Sequence, residues 1–415
     1  MKDQDLIVIG AGIGGGNAAV AARRNGFAGR ITLIGAEPDP PYDRPPLSKG
    51  YLRGEEDFSH IQSRPESEYA KYEIDLRKST RVAAIEAGRR VVRLDSGEQL
   101  SYSSLIVATG GRNRRPRIPG IDLDGVLQLR RREDSDRIRQ AAKSGGRAVV
   151  IGLGFIGSEV TASLRMLGCE VTAVELERWP LARALSEEVG RQLAEMHKAH
   201  GVELVLGDGV DSFQGTDGRL RSVRTRSGRV LNCDFAVIGL GIEPEVDLLK
   251  AAGADIDDGV LVDERCRTSL PSVFAAGDCA NRIHPLFGRR MRIEHWNNAD
   301  RMGRFAGRNA AGKDKVFDDV PSFWSDQYDE KIEYIGHHVH FDRMVVRGDL
   351  AARKFFGFYI ENDIIQAVVA MGYSDAIVEP VEKLIRYRHP IPDERLSDDP
   401  VQMAEMIKQL RGELS

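Results

Sequence analysis

The sequence predicts an α/β chain built on two copies of one strand-turn-helix unit, followed by a third region of different character. Three observations predict it. A glycine fingerprint of the form G-x-G-x-x-G occurs twice, 142 positions apart, at Gly10-Ala11-Gly12-Ile13-Gly14-Gly15 and Gly152-Leu153-Gly154-Phe155-Ile156-Gly157. A second pair of segments echoes at an offset of 131, and from about residue 322 the pattern ends.

Each fingerprint has the same setting. Leu6-Ile7-Val8-Ile9 and Ala148-Val149-Val150-Ile151 are short apolar runs that read as buried parallel strands entering a glycine turn. A helix follows each turn: Ile156, Val160, Leu164 and Leu167 recur at helical spacing until Gly168, and Gly26 ends an Ala-rich stretch in the first copy. In such a setting the first glycine permits the tight turn, the second lets a pyrophosphate approach the backbone, and the third lets helix and strand pack closely. Glu37 and Glu175 stand 22 and 18 residues past the last fingerprint glycine. That is close to the ~20 expected of a carboxylate that binds ribose hydroxyls. One fingerprint is as easily a plain connection, but two complete units point to two dinucleotides.

The echo supplies the returning part of each unit. Val92-Arg93-Leu94-Asp95-Ser96-Gly97 leads to Leu105-Ile106-Val107-Ala108-Thr109-Gly110, and Val223-Arg224-Thr225-Arg226-Ser227-Gly228 leads to Phe235-Ala236-Val237-Ile238-Gly239-Leu240-Gly241. Each copy reads as a hairpin with a Ser-Gly turn, then a buried strand that closes on a glycine beside the nucleotide. A repeat of this size implies a duplicated domain.

Composition agrees with a globular α/β chain of about three domains over 415 residues. Net charge is −4, from 59 basic and 63 acidic residues, so no global field recruits nucleic acid or a membrane surface. No apolar run of ~18 residues is present and Met1-Lys2-Asp3-Gln4-Asp5 enters a strand directly, so a cytoplasmic location is expected. Cys169, Cys233, Cys266 and Cys279 make no close pair, which points to buried, reduced thiols rather than a metal site or dithiol centre.

With these features the chain resembles the flavoprotein pyridine-nucleotide reductases of the glutathione-reductase-like fold, and within them the ferredoxin reductases that serve bacterial cytochrome P450 and Rieske oxygenases. The resemblance covers essentially the whole length. It implies two Rossmann-like dinucleotide-binding domains and a C-terminal α+β domain. Residues 1–113 and 243–321 would form a discontinuous FAD domain, 114–242 the NAD domain, and 322–415 the C-terminal reductase domain. The fingerprint at Gly10, Gly12 and Gly15, with Glu37, Thr109 and Gly110, would bind FAD. The one at Gly152, Gly154 and Gly157, with Glu175, would bind NAD. Thr268-Ser269-Leu270-Pro271-Ser272-Val273-Phe274-Ala275-Ala276-Gly277-Asp278 resembles the resumed FAD segment, whose aspartate, here Asp278, contacts the ribityl chain.

The stretch Tyr42-Asp43-Arg44-Pro45-Pro46-Leu47-Ser48-Lys49 resembles the loop that ferredoxin reductases place beside the isoalloxazine. Related oxidases and peroxidases carry a redox cysteine where Lys49 falls, and this chain has no cysteine before residue 169. By resemblance Lys49 pairs with Glu159, near flavin N5, and both are catalytic candidates. A lysine there stabilises negative charge on reduced flavin, and a carboxylate keeps it ordered. The plain alternatives are a solvated loop lysine and a helix-dipole carboxylate. Arg44 and Arg130 resemble FAD-contacting positions. Phe155 either covers the nicotinamide site or belongs to the core. Glu175 favours NADH over NADPH, because a carboxylate repels a 2′-phosphate, although Arg178 lies close by.

Phe323-Trp324-Ser325-Asp326-Gln327-Tyr328 and Val345-Val346-Arg347-Gly348-Asp349 resemble the opening and a later strand and turn of the third domain. Arg292-Ile293-Glu294-His295-Trp296-Asn297-Asn298-Ala299 matches the helix start at the flavin pyrimidine, so Trp296 and Trp324 are candidates to border the ring. His295-Trp296 and Asp300-Arg301 depart from the usual family residues. The run His337-His338-Val339-His340 reads as a surface strand, with no metal called for.

The expected activity is transfer of electrons from NADH through FAD, singly, to a [2Fe-2S] ferredoxin. Arg112, Arg114, Arg115 and Arg117, with Arg289, Arg290 and Arg292, form either a basic docking face or a solvated loop of mixed charge. Two other readings stay open at this point: a signalling protein like apoptosis-inducing factor, and a reductase of a small quinone or radical acceptor.

Overall fold

The computed structural model describes residues 5–373, 378–397 and 399–413. Its contacts group into two compact units. The first comprises Met1–Arg44, Asp57–Arg112 and Ile242–Pro321; the second comprises Pro45–Glu56, Asn113–Gly241 and Ser322–Ser415.

The first unit centres on a five-stranded parallel sheet. In spatial order its strands are Val273–Ala275, Ser104–Val107, Asp5–Ile9, Arg30–Ile34 and Ile74–Arg77. Leu6, Val8, Ile31, Leu33, Leu105 and Ile106 are completely buried, which is what parallel strands covered on both faces require. The helix Ile13–Arg24 covers one face and packs along the helix Trp296–Ala310. Their approach is glycine-limited: a Cβ on Gly303 would lie 2.1 Å from the Gly14 carbonyl oxygen, and one on Gly307 2.1 Å from that of Ala18. A buried hydrogen bond from Asn17 to Asp300 crosses the same seam, and Asp300 also accepts from Arg304 Nε at 2.9 Å. Asp300 is thus a helix-pairing residue.

The second unit repeats the plan. Its parallel sheet runs Glu203–Leu206, Glu170–Glu175, Arg147–Ile151, Phe235–Ile238, Val126–Gln128. The two expected hairpins form, with Gly97 and Gly228 both at φ +89° in their turns, and each gains a third strand, Val82–Glu86 or Val210–Thr216. Residues from 322 onward add a five-stranded antiparallel sheet in the order Ser322–Gln327, Glu330–Gly336, Ile364–Met371, Lys354–Glu361, Arg343–Asp349. With the helices Val378–Tyr387 and Pro400–Glu413 this region is α+β, as expected.

The helix expected after the second fingerprint forms as Phe155–Met166; Ile156 on it is 44% exposed, and its buried face is carried by Gly157, Val160, Thr161 and Leu164. One local expectation is corrected. The histidine run is not a strand. The strand Glu330–Gly336 ends at Gly336 with φ +96°, and the histidines follow in a loop, where His338 stacks on Tyr359 with 4.3 Å between ring centroids. A left-handed residue breaks the ladder before the run begins.

Candidate functional site

The two glycine turns are nearly superimposable in their bonding. Gly10 N donates to Ile34 O at 2.8 Å and Gly152 N to Val174 O at 2.8 Å. Both first glycines are left-handed, at φ +104° and +91°. A Cβ at Gly15 or Gly157 would fall 1.8 Å from the carbonyl oxygen of Gly10 or Gly152, so the third glycine is demanded by packing. The space beside the second glycine is open instead: nothing lies within 4 Å of a Cβ at Gly12 or Gly154. Neither following helix has a side-chain cap or an acid in its first turn. Unshared N–H groups therefore face an open cradle, which fits a pyrophosphate in both places.

The side chains around the cradles differ. In the first unit Glu37 follows the strand Arg30–Ile34 and is gripped by Arg44 Nη2 at 2.7 Å and the Tyr42 hydroxyl at 2.6 Å. Burial opposes the Arg44 charge, but Tyr42, Glu37 and Asp278 outweigh it and raise its pKa. Two predicted FAD residues, Glu37 and Asp278, are thus both within electrostatic reach of a third, Arg44. Asp278 lies in the short turn Gly277–Cys279 after the strand Val273–Ala275. Thr109 and Gly110 follow the neighbouring strand Ser104–Val107, where Thr109 Oγ1 donates to Glu245 O at 2.7 Å and Gly110 has φ +71°. Trp296 opens its helix and donates from Nε1 to Asp43 Oδ1 at 2.8 Å. Burial raises the Asp43 pKa, a rise that the indole hydrogen bond partly offsets.

In the second unit Glu175 turns back onto its own cradle. It accepts from Leu153 N, inside the fingerprint, and from Glu177 N at 3.0 Å. Phe155 packs edge-to-face on Phe323 at 4.4 Å and lies against the apolar cluster of the antiparallel sheet, so part of its surface is core. Arg130 falls in this unit, not with Arg44; its backbone N–H donates to Asp134 Oδ2 at 3.0 Å at the start of the helix Arg132–Ala142. Trp324 lies on the strand Ser322–Gln327, half-buried between fully or nearly buried Phe323 and Ser325.

The second unit also holds the catalytic candidates. Lys49 Nζ sits 2.7 Å from Glu159 Oε2, with side-chain exposures of 13% and 3%. Glu159 is held on the helix Phe155–Met166, and Lys49 on a loop pinned to that helix, because Ser163 Oγ donates to Ser48 O at 2.7 Å. Ser135 Oγ holds the same loop through Leu47 O at 2.8 Å. Two residues with no role assigned from sequence complete the carboxylate shell: Ser48 Oγ donates to Glu159 Oε2 at 2.6 Å and Ser325 Oγ to Oε1 at 2.8 Å. Both lie inside stretches already singled out, but 111 and 166 positions from Glu159. No local pattern signals such a meeting.

All four cysteines are free and buried, and burial pushes Cys233 and Cys266 up to about 12. Among the described residues no group of three or more His, Cys, Asp or Glu is placed to hold a metal, and no helix is long and apolar enough to cross a membrane. Several of the arginines in the two arginine-rich stretches have partners. Arg112 binds Glu243, Glu245 and Asp247, Arg115 binds Asp122, and Arg292 binds Asp258 and Glu294. Arg290 is spent on the carbonyls of Val262 and Asn281. Acids brought close by the fold, often far away in sequence, thus offset Arg112, Arg115 and Arg292.

Residues 4–303 match the family described as pyridine nucleotide-disulphide oxidoreductase, and residues 322–407 match the reductase C-terminal domain. The chain belongs to this family, among its ferredoxin reductases. Rhodocoxin reductase of Rhodococcus erythropolis is 38% identical over 352 residues, which cover 84% of this chain and 82% of that protein. A ferredoxin reductase from Rhodopseudomonas palustris superposes with a TM-score of 0.93 at 34% identity, covering 97% of this chain and 100% of the other. Putidaredoxin reductase, in its covalent complex with putidaredoxin, gives 0.94 at 31% identity and covers 98% and 99%.

Proposed function

We propose that the protein is an FAD-dependent NADH:ferredoxin reductase of the cytoplasm, passing electrons singly to a [2Fe-2S] ferredoxin that serves a cytochrome P450 or Rieske oxygenase. The observation that carries this reading is the pair of matched glycine cradles in a chain whose four cysteines are all buried and free. Two dinucleotides have places to bind, and no thiol stands where disulfide-reducing members of the wider family use one.

Residues 1–113 and 243–321 are assigned to FAD, 114–242 to NAD and 322–415 to the C-terminal reductase domain. FAD supplies the chemistry when bound, taking hydride from the nicotinamide and releasing electrons one at a time. The protein's own residues bind, orient and tune. The N–H groups at Gly10 to Gly15 hold the FAD pyrophosphate, Glu37 its adenosine ribose, and Arg44, Thr109, Gly110, Arg130, Asp278 and Trp296 the remainder. Gly152, Gly154 and Gly157 hold the pyrophosphate of NADH, Glu175 its ribose, and Phe155 the edge of the nicotinamide site. Glu175 already engages the backbone N–H of Leu153. A carboxylate fixed there repels the 2′-phosphate of NADPH, so NADH is preferred. Lys49, held in place by Glu159, stabilises negative charge on the reduced cofactor.

Steady-state turnover tests the reading. With NADH, the FAD-loaded protein should reduce a [2Fe-2S] ferredoxin at least about tenfold more efficiently than it reduces quinones, and more efficiently than it does with NADPH. Slow turnover with every acceptor would refute it.

A further inference from the structure

The Glu159 carboxylate is more firmly held than an ion pair requires. Its Oε2 accepts from Lys49 Nζ and Ser48 Oγ, at 2.7 and 2.6 Å, and its Oε1 accepts from Ser325 Oγ at 2.8 Å. Ser325 is fully buried on the strand Ser322–Gln327, and its oxygen accepts from Gln327 Nε2 at 3.2 Å. A hydroxyl has a single hydrogen to give. With the Gln327 amide donating to the oxygen, the Ser325 hydrogen is directed at Glu159. Gln327 is itself fully buried, beside the ring of His197. The His197 Nδ1 meets the Tyr328 hydroxyl at 3.0 Å. Burial depresses the His197 pKa to about 4, so the ring beside the amide is neutral near pH 7.

We propose that Ser325 and Gln327 are positioning residues for the Lys49–Glu159 pair, which makes the strand that opens the C-terminal region part of the machinery for taking up electrons. The proposal rests on the reading of that pair as the group that stabilises the reduced cofactor. A carboxylate held only through Oε2 is free to rotate and to draw the ammonium with it. The Ser325 bond removes that rotation, and Gln327 fixes the Ser325 rotor. Hydrogen bonds to an ionised acceptor are short and strong, and displacement of a reacting group by ~1 Å costs up to ~100-fold in rate.

The test uses the FAD-loaded protein mixed rapidly with NADH in the absence of oxygen. Ser325→Ala and Ser325→Cys, the second filling the volume but donating weakly, should each lower the limiting rate of flavin reduction about tenfold. Gln327→Met should lower it about threefold, and the half-saturating NADH concentration should stay within about twofold of its original value in all three. A second readout uses the FAD-free protein. Infrared difference spectra against the matching Glu159→Gln protein isolate the Glu159 carboxylate stretch, which should shift in both Ser325 variants. An unchanged rate and band in Ser325→Ala overturns the proposal. So does a Ser325→Cys protein indistinguishable from the original, because the serine would then merely fill space. If Ser325→Ala does not fold, Gln327→Met carries the test with the same two readouts. Lys49→Met separates the two levels: if it leaves flavin reduction intact, the reading of the pair fails, whereas a slow Lys49→Met beside a normal Ser325→Ala removes only the positioning role.

Discussion

The cradle at Gly10 and the cradle at Gly152 share a backbone and differ in everything hung on it. Both have a left-handed first glycine, an open second glycine and a third glycine jammed against the first carbonyl. The first is walled by a paired helix, Trp296–Ala310, locked through Gly303, Gly307 and the bond from Asn17 to Asp300. The second opens a helix that carries a buried carboxylate, Glu159, with an ammonium on it. A turn of this kind binds an anion of either cofactor. The proposed assignment rests on the decoration, with the resident FAD given to the cradle walled by the helix pair and the transient NADH to the cradle beside the ordered charge.

The sharpest way to break the comparison is to jam each cradle separately. Gly15→Val and Gly157→Val each put side-chain atoms into a space where even a Cβ would sit 1.8 Å from a carbonyl oxygen. Gly15→Val should abolish FAD retention, read as flavin absorbance after gel filtration. Gly157→Val should keep FAD and lose reduction by NADH. If both variants lost FAD equally, the unequal assignment would fail.

The next effect is at the buried pair. Lys49→Met leaves Glu159, 3% exposed, without its cation. Breaking a buried pair from one side costs about 3–5 kcal/mol, so the thermal midpoint should fall and flavin reduction should slow by about a hundredfold or more. A Lys49→Met/Glu159→Gln double variant should regain most of the stability but not the rate.

Acid should act on the second unit through His197. Its pKa is about 4 in the fold against 6.5 when unfolded, because burial disfavours the charged ring. The unfolded chain therefore binds more protons between these values. The stability from this site is complete above about pH 6.5 and is lost as pH falls toward 4, by up to about 3 kcal/mol. His197→Gln should flatten that part of the profile of melting temperature against pH.

The smallest effect concerns the ribose carboxylates. Glu175→Ala should narrow the preference for NADH over NADPH by about tenfold with little change in FAD content, whereas Glu37→Ala should weaken FAD retention and leave the nucleotide preference alone. A change of preference in Glu37→Ala would reverse the two assignments.

Much of this comparison is legible in the sequence because it is local. The fingerprints, the strands that feed them and the echo that returns to the sheet are short patterns with fixed spacing, and each forms as read. What escapes is long-range. Ser325 meets Glu159 across 166 positions and Trp296 meets Asp43 across 253, and nothing in either neighbourhood states the partner. The arginine clusters stayed open between a docking face and a mixed-charge loop for the same reason: Glu243, Glu245 and Asp247 meet Arg112 from more than 130 positions away. The histidine loop fails differently: one left-handed glycine ends a strand that composition would extend.

The central claim, that electrons enter from NADH through FAD and leave singly without a protein thiol, is tested most directly by counting them. The FAD-loaded protein, and a variant with Cys169, Cys233, Cys266 and Cys279 all replaced by alanine, are each mixed anaerobically with one equivalent of NADH and then with excess [2Fe-2S] ferredoxin. Two ferredoxins reduced per NADH, at the same rate with and without the cysteines, is the predicted result. Loss of transfer in a cysteine-free protein that remains folded and flavin-loaded would contradict it.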